Sequence, residues 1–430
     1  MIPTGVSSAP PAAQRASADP LGRTPLEGRD DVLQEGIFFR PGERPPPCYR
    51  VALMSVRAET PREMAAGAVE RLWAMLRELE QSGAVRDLQG RPEEPPAPVP
   101  SGTFTSLIGF GAPLFDPDRE TPLTDRERPP RLFALRSLRE PFATIPWLTD
   151  AADNRGEADI ALQFLGLSEL AVTRPVVEVW KLIVDEGLPL EVIASFGGLQ
   201  RDDRRSWIDF HDGLSNLRSS QRLVAIEAGG EPAWMTRGTY MALLRLGVDL
   251  PAWRRLTREQ QEAVVGRDKL SGCPLERVEV GDGTLQPVLM PGCSASEGAT
   301  PEERSRFEDP PDVNDAIVGS AHIHRANQNR GAPDRPANQR VYRQGYEFFD
   351  SIGPEGPMLG LNFVSFQREL DRLLKILETP GWLGDVNFGG RGSARAPEPD
   401  PIVLMRLMAG GFYAVPPRAE PFPGAELFAS

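Results

Sequence analysis

The sequence predicts an α+β protein that is built from two ferredoxin-like halves with antiparallel sheets. Strand and helix patterns follow the order β-α-β-β-α-β twice along the 430 residues, and the two halves share this order without sharing sequence. The first half covers residues 31–205 and the second half residues 206–430. They follow a tail at residues 1–30 that is rich in Ala, Pro and Ser, and we expect this tail to be disordered.

The first half opens with a buried strand, YRVALMSVR, at residues 49–57. A helix follows, with Thr60 as its N-cap, Pro61 in the first helical position and apolar residues at helical spacing. Two tryptophans on helices, Trp73 and Trp180, are expected to face the core. The remaining elements of this half are strands at 104–115, 157–166 and 190–198, and a helix at 168–187.

The second half repeats the order with a long insertion. A strand at 238–248 and a helix at 256–266, with Thr257 at its start, precede residues 268–320, which are polar and rich in Gly and Pro. Loops of that length are usually functional or disordered. VYRQGYEFF and MLGLNFVSF flank a turn that contains Gly and Pro, which indicates a hairpin. The helix FQRELDRLLKILE and the strand MAGGFYAVP complete the half.

Composition limits the partners and the compartment. The formal net charge is −13 and no run of Lys or Arg is present, which argues against nucleic acid and anionic membranes as partners. No apolar stretch reaches the roughly 18 residues of a membrane span. Three widely spaced cysteines, Cys48, Cys273 and Cys293, favour a reducing compartment over a disulfide framework or a thiolate metal site. We therefore expect a cytoplasmic protein without a membrane partner.

Histidine is scarce, with His211, His322 and His324 the only candidates for imidazole chemistry. From spacing alone, a polar loop residue is the favoured interpretation of His322. Histidine is also the usual protein ligand of haem iron, and an open iron face needs a proton acceptor and a cation beside it. Asp212 and Arg343 have the right chemistry, although each alone is better interpreted as a turn residue and as a strand-surface charge.

Taken together, several segments resemble the dye-decolorizing (DyP-type) haem peroxidases. From about residue 34 to the end they follow in the order of that family: QEGIFF, SLIGFGAPLF, DFHDGLSN, GTYMALLRLGVDLPAWRRLTREQQEAVVGRDKLSGCPL, AHIHRAN, VYRQGY and GFYAVPP. The resemblance implies two ferredoxin-like domains of the dimeric α+β barrel type, with one haem b per chain in the C-terminal domain.

The resemblance also implies roles for individual residues. His322 would be the iron ligand, Asp212 the acid–base on the opposite face of the haem, and Arg343 the residue that stabilises charge there. The other expected cofactor-binding residues are Leu361 and Phe363 in the apolar wall, Gly213, Leu214 and Ser215 along the haem edge, and Asn327, Arg325 and Arg340 near the propionates. Asp209 replaces the first glycine of the GxxDG motif, and it should raise the pKa of Asp212 if the turn brings the two carboxyls together.

The implied activity is a haem-dependent peroxidase that reduces hydrogen peroxide and oxidises an organic donor of the dye or phenol type in one-electron steps. Two alternatives stay open: a haem- or porphyrin-binding relative with another activity, and a scaffold or cargo protein without cofactor. The sequence leaves open whether the chain forms a homo-oligomer. Candidate electron relays, each also expected as a packing residue, are Trp207, Trp234, Trp253, Trp382 and Tyr346.

Overall fold

A computed structural model describes most of both halves of the chain. The described residues are 33–39, 43–82, 102–133, 156–212, 224–280, 284–289, 321–326, 341–378 and 404–429. The tail at 1–30, whose disorder the sequence predicts, and the greater part of the 268–320 insertion lie outside these residues.

Eight antiparallel strands form one closed barrel in the order β1-β3-β2-β10-β5-β9-β8-β4. The first half supplies β4-β1-β3-β2 and the second half supplies β8-β9-β5-β10. Each is the same four-stranded ferredoxin-like arrangement, so the predicted fold class is confirmed. The strands are β1 (Cys48–Val56), β2 (Phe104–Gly111), β3 (Ile160–Gly166), β4 (Leu190–Leu199), β5 (Thr239–Val248), β8 (Tyr342–Gly353), β9 (Gly356–Gln367) and β10 (Met405–Val415).

The two halves are joined where β2 pairs with β10 and β4 pairs with β8. Both seams are short: β10 pairs with β2 at two positions, and β4 pairs with β8 at one. The predicted boundary between residues 205 and 206 stays a prediction, since strands from both sides of it complete a single barrel.

Helices cover the outside of the barrel, and their ends follow the local sequence. The side chain of Ser168 accepts a hydrogen bond from the Ala171 amide at the start of α2, and Gly187 ends that helix with a φ of 63°. Thr257 starts α4 in a capping box, which confirms the predicted start. The helices are α1 (Arg62–Ser82), α2 (Glu169–Glu186), α3 (Leu250–Arg255), α4 (Arg258–Val265), α5 (His322–Arg325) and α6 (Asp371–Glu378). None of the helices in the described ranges is long and apolar enough to cross a membrane.

The two helical tryptophans that were predicted to face the core differ in how far they are buried. Trp73 is 8% exposed and packs in the core, whereas Trp180 is 57% exposed. The prediction for Trp180 is therefore wrong. On α2 the residues that pack inward include Val179, Leu182 and Ile183, and the helix turns the Trp180 position away from them.

Alternation along the strands divides the apolar residues between two cores. In β1, Tyr49, Val51 and Leu53 belong to one core, while Ala52 and Met54 belong to another core that also contains the buried faces of α1 and α2. Since the helices lie outside the barrel, the first core fills the barrel interior and the second lies between barrel and helices.

The long insertion contains a two-stranded hairpin, with β6 at Leu275–Val280 and β7 at Thr284–Leu289. Just before it, Cys273 is buried and forms a disulfide bond, while Cys48 is a free thiol. The disulfide departs from the sequence-based expectation, because wide spacing in sequence does not report which cysteines the fold brings together.

The segment 33–39 ties the two halves of the barrel together. Gln34 is buried, and its side-chain amide donates to the carbonyl oxygens of Ile108 and Pro416, each at 2.9 Å. The Ile108 amide donates to Gln34 Oε1 at 2.8 Å. Gln34 therefore forms hydrogen bonds with the backbone of β2, and it also binds Pro416, the first residue after the end of β10. On the opposite half, Gln344 of β8 donates to the carbonyl of Gly36 at 3.0 Å.

Replacing Gln34 by Ala should destabilise the barrel, because it removes three hydrogen bonds and leaves buried backbone groups of both halves without partners. The expected loss is about 1 to 3 kcal/mol in the free energy of unfolding. Urea unfolding of the two proteins measures it. The control Gln81→Ala, at an exposed position in α1, should change stability by less than about 0.5 kcal/mol. Equal effects of the two substitutions would contradict this role for Gln34.

Candidate functional site

One face of β8 presents three residues of the candidate site. The odd-numbered positions of this stretch are Arg343, Gly345 and Glu347. They alternate with Tyr342, Gln344 and Tyr346, which are buried on the opposite face of the strand, and both tyrosines pack in the barrel interior. The first three residues therefore point outward, toward the side that the helices cover. Arg343 is half-buried there, and Glu347 is 5% exposed.

The neighbouring strand β9 supplies the apolar part of the same face. In the antiparallel register Gly345 lies opposite Phe363, and Glu347 lies opposite Leu361. Phe363 is buried and Leu361 is half-buried, and both contact the core between barrel and helices. The structure thus brings Arg343, Leu361 and Phe363 to one surface, as the hypothesis of an apolar wall beside a cation requires.

The loop that follows β4 folds over this face and carries Asp212. The Asp212 amide donates to the carbonyl of Arg204 at 2.9 Å, and the Ser206 amide donates to the carbonyl of Phe210 at 2.8 Å, which closes the loop into a tight double turn. The Trp207 amide donates to Glu347 Oε2 at 3.2 Å and so fastens the loop to β8.

Gly345 makes room for the Asp212 carboxylate. A Cβ atom at position 345 would lie 2.6 Å from Asp212 Oδ2 and 3.3 Å from Leu361 Cδ1. Any other residue here would have to displace the carboxylate, because real Cβ atoms do not approach that closely. Asp212 therefore lies directly on the outward face of β8, two residues along the strand from Arg343 and beside Leu361.

His322 approaches from a separate segment of the chain. It begins the single-turn helix α5, which packs against the end of α4 so closely that a Cβ at Gly266 would lie 2.7 Å from Ile323 Cγ1. Gly266 also has a φ of 89°, so glycine suits this position for both reasons. The close approach fixes where the His322 backbone lies.

The imidazole of His322 is neutral at ordinary pH. Burial, together with the positive charges of Arg343 and Arg267, lowers its pKa to about 3. The residue as a whole is half-buried, and its ring nitrogen Nδ1 is buried. A neutral imidazole is the form that ligates a metal.

Several predicted site residues cannot be placed. Gly213, Leu214, Ser215, Asn327 and Arg340 lie outside the described residues, and only the backbone of Arg325 is described, within α5. Their proposed contacts with the cofactor stay predictions. The relay candidate Trp382 also lies outside the described ranges. Trp234, Trp253 and Tyr346 are each at most 5% exposed and pack in the core.

Asp209 does not act on Asp212 as the sequence suggested. Its backbone has a φ of 68°, a conformation that favours glycine and that aspartate tolerates better than most residues. The carboxylate is exposed and faces Lys269, whose Nζ lies 3.5 Å away. The turn therefore keeps its geometry without the family's glycine, and the carboxylate points away from the site. His211 also turns away, with Nε2 at 3.0 Å from the carbonyl oxygen of Leu270.

The negative charge of Asp212 acts on a different carboxyl group, that of Glu347, which the sequence motifs did not indicate. Burial raises the pKa of Glu347 to about 8, and the negative charge of Asp212 raises it as well, against the opposing effects of the Trp207 amide and Arg201. Its position could have been noticed, because a glutamate four residues after Arg343 on a strand shares the face of that arginine. Arg267, buried near His322, left no comparable signal in the sequence.

Comparison with known proteins agrees with this fold. Residues 203–386 match the family model described as the C-terminal domain of Dyp-type peroxidases. Crystal structures of a DyP-type peroxidase from Cellulomonas bogoriensis and of DtpA from Streptomyces lividans share the fold. The Cellulomonas structure has a TM-score of 0.64 at 20% identity and covers 94% of this chain and 100% of its own. The DtpA structure has a TM-score of 0.65 at 23% identity and covers 95% of this chain and 98% of its own. A Rhodococcus jostii DypB variant in complex with heme is similar at a TM-score of 0.57 and 15% identity, over 90% of this chain and 96% of that chain.

Curated relatives match a smaller part of the chain. A deferrochelatase from Escherichia coli strain 536 is 26% identical, and one from Yersinia pestis strain Nepal516 is 27% identical, each over 172 residues, which is 38% of this chain. This chain spans about a third of the length of these relatives, 35% and 33%. The fold is an α+β barrel of the kind found in these solved structures. The family match covers residues 203–386 of this chain.

The buried Glu347 should make the stability of the protein fall as pH rises. Its pKa is about 8 in the folded protein and close to 4.5 in the unfolded chain, so between these values the folded state binds more protons. The contribution is complete below about pH 4.5 and is lost through about pH 8. It amounts to several kcal/mol at most, at about 1.4 kcal/mol per pKa unit. Chemical unfolding across this range should show a decline that Glu347→Gln reduces, and an unchanged slope in that variant would contradict the burial of an ionisable group here.

Proposed function

We propose that the chain binds one haem b in its second half and acts as a haem-dependent peroxidase that reduces hydrogen peroxide and oxidises an organic donor. One observation carries the proposal: Asp212 and Arg343, from separate segments, lie on the outward face of β8, and His322, from a third segment, lies within reach of the charge of Arg343. Asp212 lies on Gly345, two residues from Arg343, and the charge of Arg343 acts on His322.

The residues present suit haem. His322 offers a neutral imidazole, the form that could ligate the iron. The outward face of β8 combines a half-buried apolar side chain, Leu361, with a carboxylate and a guanidinium, which fits a site that receives an apolar ring and a polar oxidant. When bound, haem would supply the iron that accepts peroxide and the oxidising equivalents for the donor.

Each side chain would then have one task. His322 holds the cofactor through its ring nitrogen. With haem bound, Asp212 would accept a proton from peroxide and return it to the departing oxygen, so that this oxygen leaves as water. Arg343 stabilises the negative charge that develops between these two proton transfers, and Leu361 and Phe363 keep bulk water away from them.

The similarity to structures of DyP-type peroxidases, one of them in complex with heme, supports this proposal. The curated relatives bear the name deferrochelatase, so a porphyrin-modifying activity is the second candidate. Both candidates need haem bound at His322, and they differ in whether the iron stays in the porphyrin. We propose an organic small-molecule donor, no nucleic-acid partner, no membrane partner and a cytoplasmic location. The disulfide at Cys273 is the finding that speaks against a reducing compartment.

Replacing His322 by Ala should abolish haem binding, because it removes the only axial donor that we assign. Purified protein should show a Soret absorption band and bind added haem in titration, whereas His322→Ala should do neither. His211→Ala is the matched control, since His211 bonds the Leu270 carbonyl and points away from the site. Loss of haem in His211→Ala with retention in His322→Ala would overturn the assignment. Iron-free porphyrin accumulating in the wild-type protein would favour the second candidate function.

Replacing Asp212 by Asn should slow the reaction with hydrogen peroxide by about two or more orders of magnitude, the usual scale for a positioned acid–base group. The amide keeps the shape of the side chain over Gly345 and cannot accept the proton. Stopped-flow absorbance of the haem measures the rate. Asp209→Asn removes a carboxylate of the same loop that faces Lys269, and it should leave the rate within a few-fold of wild type. Nearly full reactivity in Asp212→Asn would mean that another group transfers the proton.

A further inference from the structure

Glu347 lies in the candidate site without a role in the proposed reaction. Its side chain is 5% exposed and points to the same side of β8 as Arg343 and the Gly345 position that Asp212 covers. Glutamate is rarely this buried unless it is paired. No arginine or lysine in the described part of the chain forms an ion pair with it, so the usual partner of a buried carboxylate is missing.

Its two oxygens have different surroundings. Oε2 accepts the hydrogen bond from the Trp207 amide, in the loop that carries Asp212. Oε1 is buried and has no hydrogen-bond partner among the described residues. An ionised carboxylate would leave that buried oxygen with an unsatisfied charge, which is costly, whereas a protonated carboxyl group places a hydrogen there.

The charged and titratable groups around Glu347 favour the protonated form. Asp212 faces it from the loop and adds a negative charge. Arg201 faces it from the start of the same loop, but its guanidinium lies over the Trp207 ring, 5.0 Å from the ring centroid, and pairs with Asp203. On the strands beside it, Leu199 and Leu361 are its apolar neighbours. Two carboxyl groups that share such a pocket do not both ionise readily.

We propose that Glu347 is a positioning residue for Asp212: the two carboxyl groups form a pair that holds one proton between them, and Glu347 carries it. A neutral Glu347 keeps the Trp207 hydrogen bond and places no second negative charge beside the carboxyl group of Asp212 over Gly345. The pair itself follows from the geometry of β8 and its loop, whereas its effect on peroxide chemistry rests on the proposed function.

The pair should affect the rate of the reaction with peroxide at alkaline pH. When Glu347 ionises, a second negative charge appears beside Asp212 and holds an accepted proton there more tightly, so the return of that proton to the departing oxygen becomes less favourable. The reaction with peroxide should therefore decline above about pH 8, where burial and Asp212 place the titration of Glu347. Glu347→Gln has no such titration and should lose this decline.

Infrared difference spectroscopy of the full chain as purified tests the pair directly. Its readout is the carbonyl stretch of a protonated carboxylic acid as a function of pH. Wild-type protein should show a band that disappears near pH 8 and is missing in Glu347→Gln. In Asp212→Asn the same band should disappear at a pH lower by about one unit or more, because the neighbouring negative charge is gone.

The matched control is Glu80→Gln. Glu80 is also a buried carboxyl, and burial raises its pKa to about 7, but it belongs to α1 and pairs with Arg77 and with Ser106 of β2. That variant should lose its own band and leave the band of Glu347, and its response to Asp212→Asn, unchanged.

Two outcomes would overturn the proposal. Identical spectra of wild type and Glu347→Gln would mean that Glu347 is ionised, and an unshifted band in Asp212→Asn would mean that the two carboxyls do not interact. The second experiment leaves Glu347 itself intact, so poor folding of a Glu347 variant cannot hide the answer. A chain that binds no haem but shows both spectral effects would refute the proposed function and leave the carboxyl pair standing.

Discussion

The candidate site depends on the pleat of a single strand, β8. Because successive side chains on a strand point to opposite faces, the stretch from Tyr342 to Glu347 serves two surroundings at once. Tyr342 and Tyr346 fill the barrel interior, where Tyr346 stacks on Tyr49 at 4.7 Å between ring centroids. Arg343, Gly345 and Glu347 face outward to the loop and helices. A shift of one residue in the register of β8 would exchange these sets and bury the charges among tyrosines.

Close backbone approach is the second constraint, and two glycines provide it. Gly345 admits the Asp212 carboxylate onto the strand, and Gly266 admits α5 onto the end of α4. The first contact fixes the acid–base candidate and the second fixes the ligand candidate. Both contacts bring together residues that are more than 50 positions apart in sequence, so the geometry of the site is a property of the closed barrel and its insertion together.

Charge is distributed unevenly across the site. Burial keeps the ring of His322 neutral by lowering its pKa, and the positive charges of Arg343 and Arg267 act in the same direction. Negative charge from Asp212 acts on Glu347 and raises its pKa. In a poorly solvated pocket each of these effects is larger than it would be at the surface. Arg343 and Glu347 lie on the same face of β8, so a group that acts on His322 and a group that responds to Asp212 are carried by one strand.

Much of this could be predicted from the chain itself. Periodicity and capping residues gave the element order, the hairpin between β8 and β9 and the start of α4 at Thr257, because these are local preferences of the backbone. Motif order gave His322, Asp212 and Arg343. The sequence did not predict which face of a helix is buried. Helical spacing placed Trp180 in the core, but the position of α2 on the barrel leaves this residue exposed.

The sequence by itself determined which residues are available: two ferredoxin-like halves, a scarce histidine, and an aspartate and an arginine in recognisable motifs. Tertiary structure alone decided which of them meet. Asp209 and Asp212 are three residues apart, yet the positive φ of Asp209 sends its carboxylate toward Lys269. Asp212 and Glu347 are 135 positions apart, yet the loop after β4 places both on one face of β8. The physical reason is that electrostatic coupling depends on distance through the folded protein, which the chain acquires only when the barrel closes.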